Sequence, residues 1–101
     1  MKSHRTLSVR QEKAAENDLF NAILSLETNQ ELRAFFEDLC TPAEIEAMTD
    51  RWSVVTPLTL GTPYREISQK TGVSVTTIGR VARSLSHGAG GYQIALERKS
   101  T

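Results

Sequence analysis

Cysteine is almost absent from this chain: among its 101 residues only Cys40 carries a thiol, so no internal disulfide can form. Long apolar runs are missing too, because no stretch approaches the roughly 20 apolar residues that a membrane-spanning helix needs. The N-terminus begins with basic residues but never acquires the apolar segment of a secretory signal. These absences predict a cytoplasmic protein that does not partner with membranes.

Strand patterns are also nearly absent, since the apolar residues recur at helical spacing and do not alternate with polar ones. This spacing predicts an all-α fold of five to six helices. Residues 1–10 are expected to be a flexible tail, and residues 11–101 a single helical domain. A chain of this length is near the lower limit for a self-sufficient core, so a second copy that shares the core would relieve that limit.

Capping signals divide the helical pattern. An amphipathic helix is expected from about Val9 to near Glu27, and Thr28 is the expected N-cap of the next helix. The buried stripe of this second helix is predicted to be Leu32, Phe35, Phe36 and Leu39. A third helix should start at Pro42, where a proline needs no amide hydrogen, and end near Gly61. Pro57 predicts a kink or an early end of that helix near Thr56.

Charge is unevenly distributed although the net charge of the chain is zero. Residues 1–26 carry +1, residues 27–64 carry −5 and residues 65–101 carry +4. A local positive field attracts a polyanion even when the net charge is zero. Chance scatter of charges in a short chain would give the same pattern, so charge alone does not decide whether the chain binds a polyanion.

The stretch REISQKTGVSVTTIGRVARSL at residues 65–85 predicts a helix-turn-helix over residues 62–86. Gly72 can adopt the positive φ that ends the first helix, and Ser74 can cap the second. The residues expected to bury the two helices against each other are Ile67, Val73, Ile78 and Val81. The alternative is a plain helical hairpin with a solvated polar face.

The residues between those apolar positions are expected to face outward: Ser74, Thr76, Thr77, Gly79 and Arg80. Thr76 and Thr77 begin the second helix, where base edges are met, whereas Lys70 and Arg83 are placed for phosphates. The candidate DNA-binding residues are Arg65, Lys70, Ser74, Val75, Thr76, Thr77, Gly79, Arg80 and Arg83. Double-stranded DNA is therefore the predicted partner.

Three segments carry a resemblance to a known family: LCTPAEIEAMTDRW at residues 39–52, GTPYREISQKTGVSVTTIGRVARSL at residues 61–85 and GAGGY at residues 88–92. They resemble the tryptophan repressor superfamily, and most of all its YerC/YecD-type branch, over about Leu19 to Glu97. The resemblance implies six helices in an intertwined homodimer. It also implies a transcriptional repressor whose two helix-turn-helix pairs occupy a palindromic operator.

The resemblance further implies a site for a small-molecule co-repressor. In that family two arginines sandwich the indole of L-tryptophan, and Arg51 and Arg80 match them. The effector-binding residues implied here are Asp38, Cys40, Thr41, Arg51, Arg80, Val81 and Ser84. Val81 replaces a glycine that lies against the ligand in the tryptophan repressor, and its branched side chain should intrude on an indole-sized pocket. This difference argues against L-tryptophan as the effector.

Catalytic and metal-binding patterns are lacking. No glycine-rich phosphate loop follows a strand, no nucleophile has a recognisable base, and His4 and His87 have no ligand neighbours at a useful spacing. The sequence thus predicts a protein that is not an enzyme and that needs no metal or cofactor.

Several alternatives stay open. Arg51 could form a surface ion pair with Glu44, Glu46 or Asp50 in place of binding an effector. The protein could also bind DNA constitutively, with Val81 filling the effector pocket, or it could be a helical protein-interaction module.

Overall fold

The computed structural model describes residues 6–99, and over that range it contains helices and no strand. The helices are α1 (Val9–Leu24), α2 (Asn29–Leu39), α3 (Pro42–Ser53), α4 (Val55–Thr59), α5 (Tyr64–Thr71), α6 (Val75–His87) and α7 (Gly91–Lys99). Only Val54 separates α3 from α4, so the seven segments become six when these two count as one broken helix. The all-α prediction of five to six helices is confirmed.

The chain divides after Cys40 into two compact units, the first containing α1 and α2 and the second containing α3 to α7. The prediction of one domain over residues 11–101 stays a prediction. Of the tail predicted over residues 1–10, residues 1–5 lie outside the described part of the chain, and the last two residues are already helical. Ser8 is the N-cap of α1.

In the first unit, Thr28 caps α2 as predicted, because its Oγ1 accepts a hydrogen bond from the Glu31 amide at 3.0 Å. Helix α1 ends at Leu24, three residues before the expected end near Glu27. No residue of α1 or α2 is buried in the single chain. The predicted stripe of α2 is instead exposed at Leu32 and Leu39 and half-buried at Phe35 and Phe36.

The second unit opens with the predicted start at Pro42. Thr41 and Glu44 form a reciprocal cap, in which the Glu44 carboxylate accepts from the Thr41 amide at 2.8 Å and Thr41 Oγ1 accepts from the Glu44 amide at 3.1 Å. Helix α3 ends at Ser53, earlier than the predicted boundary near Thr56.

Pro57 accounts for this break. It has no amide hydrogen to donate to the carbonyl of Ser53, four residues earlier, and its ring would collide with that carbonyl. A new helix can form only beyond that point, and in α4 Pro57 lies in the first turn, where amides have no intrahelical acceptor. The proline therefore ends one helix and is accommodated in the next.

The buried core of the described residues lies entirely in the second unit. It consists of Val54, Val55, Ile67, Val73, Ile78 and Val81, none more than 3% exposed. Helix α7 packs against this core through Tyr92 and Leu96, and the Tyr92 ring stacks on Trp52 with centroids 6.3 Å apart. Trp52 is therefore a packing residue of this unit.

Candidate nucleic-acid interface

A turn of three residues joins α5 to α6, and it begins at Gly72 as predicted. Gly72 has φ 78° and ψ 2°, a left-handed conformation that a glycine adopts without steric cost, and its amide donates to the carbonyl of Ser68 at 2.9 Å. The Thr71 hydroxyl donates to the carbonyl of Ile67 at 2.7 Å and accepts from the Val73 amide at 3.1 Å. These bonds close α5 and fix the path of the turn.

Ser74 ends the turn and caps α6, which confirms the predicted cap. Its Oγ accepts from the Thr77 amide at 3.1 Å, and its hydroxyl donates to Thr77 Oγ1 at 3.0 Å. The side chain of Thr77 is half-buried and bonded to the cap residue, whereas Thr76 is exposed. Of the two threonines, Thr76 is the one whose side chain projects to solvent.

The predicted apolar residues do hold α5 against α6. Ile67 of α5, Val73 of the turn, and Ile78 and Val81 of α6 are each between 0% and 3% exposed, and all four belong to one cluster. This packing fixes the direction of α6, so the side chains on its opposite face are presented to solvent in a defined order.

That opposite face carries a row of polar and basic residues. Thr76, Arg80, Arg83 and His87 follow one another at spacings of four, three and four residues, which places them on one side of a helix with 3.6 residues per turn. All four are exposed. His87 was not among the predicted DNA-binding residues, although continuing the same spacing from Thr76 would have found it.

The two basic candidates of α5 are also exposed. Arg65 lies in the first turn, and Lys70 forms an ion pair with Glu66 one turn earlier at 3.0 Å. The Lys70 side chain is 71% exposed, so this pair contributes little to stability and can exchange for a phosphate. From residue 64 to residue 87 the chain has four bases and one acid, which gives this part of the surface a positive field.

Val75 and Gly79 complete the set of predicted DNA-binding residues. Val75 is 50% exposed at the start of α6, where its methyl groups are available for an apolar contact. Gly79 was predicted to face outward, but it is half-buried beside the ring of Tyr64, the first residue of α5. Tyr64 is 41% exposed and was not predicted; its place next to Arg65 was the available signal.

The seven residues of the implied effector site have different surroundings. Thr41, Arg51, Arg80, Val81 and Ser84 belong to the second unit, and Asp38 and Cys40 belong to the first. Arg80 is exposed, Arg51 and Ser84 are half-buried, and Val81 is 1% exposed within the core. Within residues 6–99, no ion pair joins Arg51 to Glu44, Glu46 or Asp50. The effector assignment stays a prediction.

A shallow cleft of about 540 Å³ opens elsewhere on the second unit. Its walls come from Leu58, Thr59, Gly61, Thr62, Pro63, Tyr64, Ala82, Leu85, Ser86 and Gln93. None of the implied effector residues lines it. The cleft is therefore not the site that the resemblance implies.

Among the described residues no group of three or more His, Cys, Asp and Glu side chains could hold a metal ion. His4 lies outside those residues. No helix between residues 6 and 99 is long and apolar enough to cross a membrane.

Comparisons with known proteins agree with this architecture. The family model described as Trp repressor protein matches residues 15–100. The uncharacterized protein YerC of Bacillus subtilis (strain 168) is 44% identical over 82 residues, which are 81% of this chain and 79% of YerC.

Two solved structures are also similar. One is a TrpR-like protein from Eubacterium eligens ATCC 27750, with a TM-score of 0.83 and 43% identity over 87% of this chain and 91% of that one. The other, from Staphylococcus aureus, has a TM-score of 0.82 and 42% identity over 92% of this chain and 96% of that one. The chain therefore belongs to the Trp repressor protein family and, within it, is similar to YerC.

Proposed function

We propose that this protein is a homodimeric transcriptional regulator that binds double-stranded DNA through α5 and α6. The observation that carries the proposal is the exposed row of Thr76, Arg80, Arg83 and His87, held in place by the buried opposite face of α6. The family to which the chain belongs is one of DNA-binding regulators. We assign it no enzymatic activity.

The roles of the side chains follow from their positions. Val75 and Thr76 at the start of α6 meet base edges in the major groove, since a methyl or hydroxyl of this length reads a base directly. Arg80, Arg83 and Lys70 contact phosphates, which fixes the register of the protein on the duplex. Arg65 can reach either a guanine or a phosphate from the first turn of α5.

The homodimer is supported by the apolar surface of the first unit. Phe20 is 54% exposed, Leu24 is 80% exposed and Leu39 is 51% exposed in the single chain. A soluble protein rarely leaves so many large apolar side chains of neighbouring helices in water. A second copy that covers them provides the missing core and places two copies of α6 about a two-fold axis.

A two-fold arrangement predicts a palindromic operator with half-sites about one helical turn, roughly 34 Å, apart. Repression follows because a protein bound over a promoter competes with transcription. Selection of bound sites from random DNA, combined with sedimentation of the protein, tests the proposal. Recovery of a palindrome by a dimer would support it; a stable monomer, or no enrichment of any sequence, would contradict it.

The proposed regulator has two versions, one controlled by a small metabolite and one without an effector. Val81 lies in the core at 1% exposure, which favours an effector pocket that is already filled and a dimer that binds DNA constitutively. Titration calorimetry with L-tryptophan and related aromatic metabolites distinguishes the two versions. Heat of binding with a matching change in operator affinity would establish an effector.

The protein-interaction alternative makes a different prediction for the same surface. If the row on α6 met a protein, the dimer would not bind genomic DNA fragments even at low salt, where non-specific phosphate contacts are strongest. Binding of such fragments would therefore support the DNA-binding function and contradict the protein-interaction alternative.

A further inference from the structure

Gly79 lies in the interior of α6, four residues after its first residue. Glycine in a helix interior destabilises the helix relative to alanine, because it loses more backbone freedom on folding. A glycine at such a position normally serves a turn, a tight packing contact or the close approach of another molecule.

The fold does not require a glycine here. The glycines with positive φ among the described residues are Gly61, Gly72 and Gly90, so the backbone of Gly79 is one that any residue adopts. A Cβ built on Gly79 would meet a single atom within 4 Å, Cε2 of Tyr64 at 3.9 Å, which is an ordinary van der Waals contact. An alanine would therefore fit without moving the protein.

The position of Gly79 identifies what approaches it. It follows Ile78, which is buried, and precedes Arg80, which is exposed, so it lies at the edge of the polar face of α6. On that edge stands Tyr64, the first residue of α5. In a helix-turn-helix the first helix crosses the sugar–phosphate backbone. The part of α6 beside the first residue of α5, where Gly79 lies, is therefore the part of α6 closest to that backbone.

We propose that Gly79 is the point of closest approach between α6 and the sugar–phosphate backbone of bound DNA, and that its missing side chain makes room for this contact. The inference rests on the proposed DNA binding and adds a residue whose role is steric. Tyr64 and Arg80 flank the gap and are placed to donate to the phosphate that enters it.

The test is Gly79→Ala, with Gly91→Ala as the matched control. Gly91 is also helical, has no positive φ and has nothing within 4 Å of a built Cβ. Gly79→Ala should melt at a temperature equal to or above that of the unaltered protein, and should keep its oligomeric state. Its affinity for DNA should fall on the order of tenfold, the size of losing one well-formed contact, for selected and random sequences alike. Gly91→Ala should bind as the unaltered protein does.

Three outcomes would overturn the inference. Unchanged DNA affinity of Gly79→Ala, measured beside normal binding by the unaltered protein, would remove it while leaving the proposed function in place. A change in base preference without a general loss of affinity would place a base edge, and not the backbone, at Gly79. Failure of the unaltered protein to bind any DNA would overturn the proposed function and this inference together.

Discussion

Arg80 and Val81 are neighbours in α6 with opposite environments: Arg80 is exposed on the polar face, and Val81 is 1% exposed in the core with Ile67 and Ile78. One residue therefore belongs to the surface proposed to bind DNA, and the next belongs to the packing that holds this surface in place. The same pair occupies the positions at which the family resemblance implies an effector. In this chain Val81, at the second of these positions, stabilises the fold by packing in the core.

Val81→Ala should lower the free energy of unfolding by about 2 kcal/mol, because it removes two buried methylene-sized groups. Val75→Ala is the matched control in the same helix. Because Val75 is 50% exposed, its replacement should lower the free energy of unfolding by only a few tenths of a kcal/mol. Denaturant unfolding followed by circular dichroism measures both. Equal losses for the two variants would show that Val81 is not a core residue.

Gly72→Ala should destabilise the protein by about 1–2 kcal/mol, because a residue with a Cβ is strained at a φ of 78°. Nothing lies within 4 Å of a built Cβ at Gly72, so the cost comes from the backbone conformation and not from a collision. Gly91→Ala, at a helical glycine without positive φ, should not lose stability. A neutral Gly72→Ala would contradict the left-handed turn.

The helix caps and the turn of the helix-turn-helix were largely predictable from the sequence. The caps at Thr28, Thr41 and Ser74 and the turn at Gly72 depend on residues within four positions of each other, so short sequence rules suffice. The position of the helix break was not. The rule for the residue before a proline pointed to Thr56, but the collision of Pro57 with a carbonyl four residues earlier moved the break to Val54.

Burial was less predictable than secondary structure. The pattern of α2 correctly placed its apolar residues on one face, but Leu32 and Leu39 remain exposed in the single chain. Periodicity shows which face is apolar and does not show whether the same chain or another molecule covers it. The prediction of the DNA-binding surface was similarly incomplete. Thr77 and Gly79 were predicted to face outward, but the Ser74 hydroxyl covers Thr77 in part and the Tyr64 ring covers Gly79 in part.

Thr76→Ala should change the preferred bases of the operator, whereas Lys70→Ala should weaken binding to all sequences by a similar factor. The first removes a side chain at the start of α6 that is exposed and outside the Ser74–Thr77 cap. The second removes one phosphate contact, which should flatten the slope of log affinity against log salt by about 0.9. Binding to a sequence library at several salt concentrations measures both effects.

The Lys70 variant needs a control for the loss of its ion pair. Glu66→Gln breaks the same pair at 3.0 Å but leaves the lysine in place, so it should not weaken DNA binding and should strengthen it slightly. If Thr76→Ala and Lys70→Ala altered affinity and base preference in the same way, the division of roles between base and phosphate contacts would be wrong.

Phe20→Glu should convert the proposed dimer into a monomer. Phe20 is 54% exposed on α1, and a carboxylate placed on a surface that a second copy covers would be buried without a partner. Asn21→Glu is the control, because it adds the same charge at the adjacent, exposed position on another side of the helix. Sedimentation velocity should show a monomer for Phe20→Glu and a dimer for Asn21→Glu. The Phe20→Glu variant should also bind a palindromic operator about as weakly as it binds a single half-site, since two linked heads bind with an effective concentration that a monomer lacks. A dimeric Phe20→Glu protein with normal operator affinity would place the interface elsewhere.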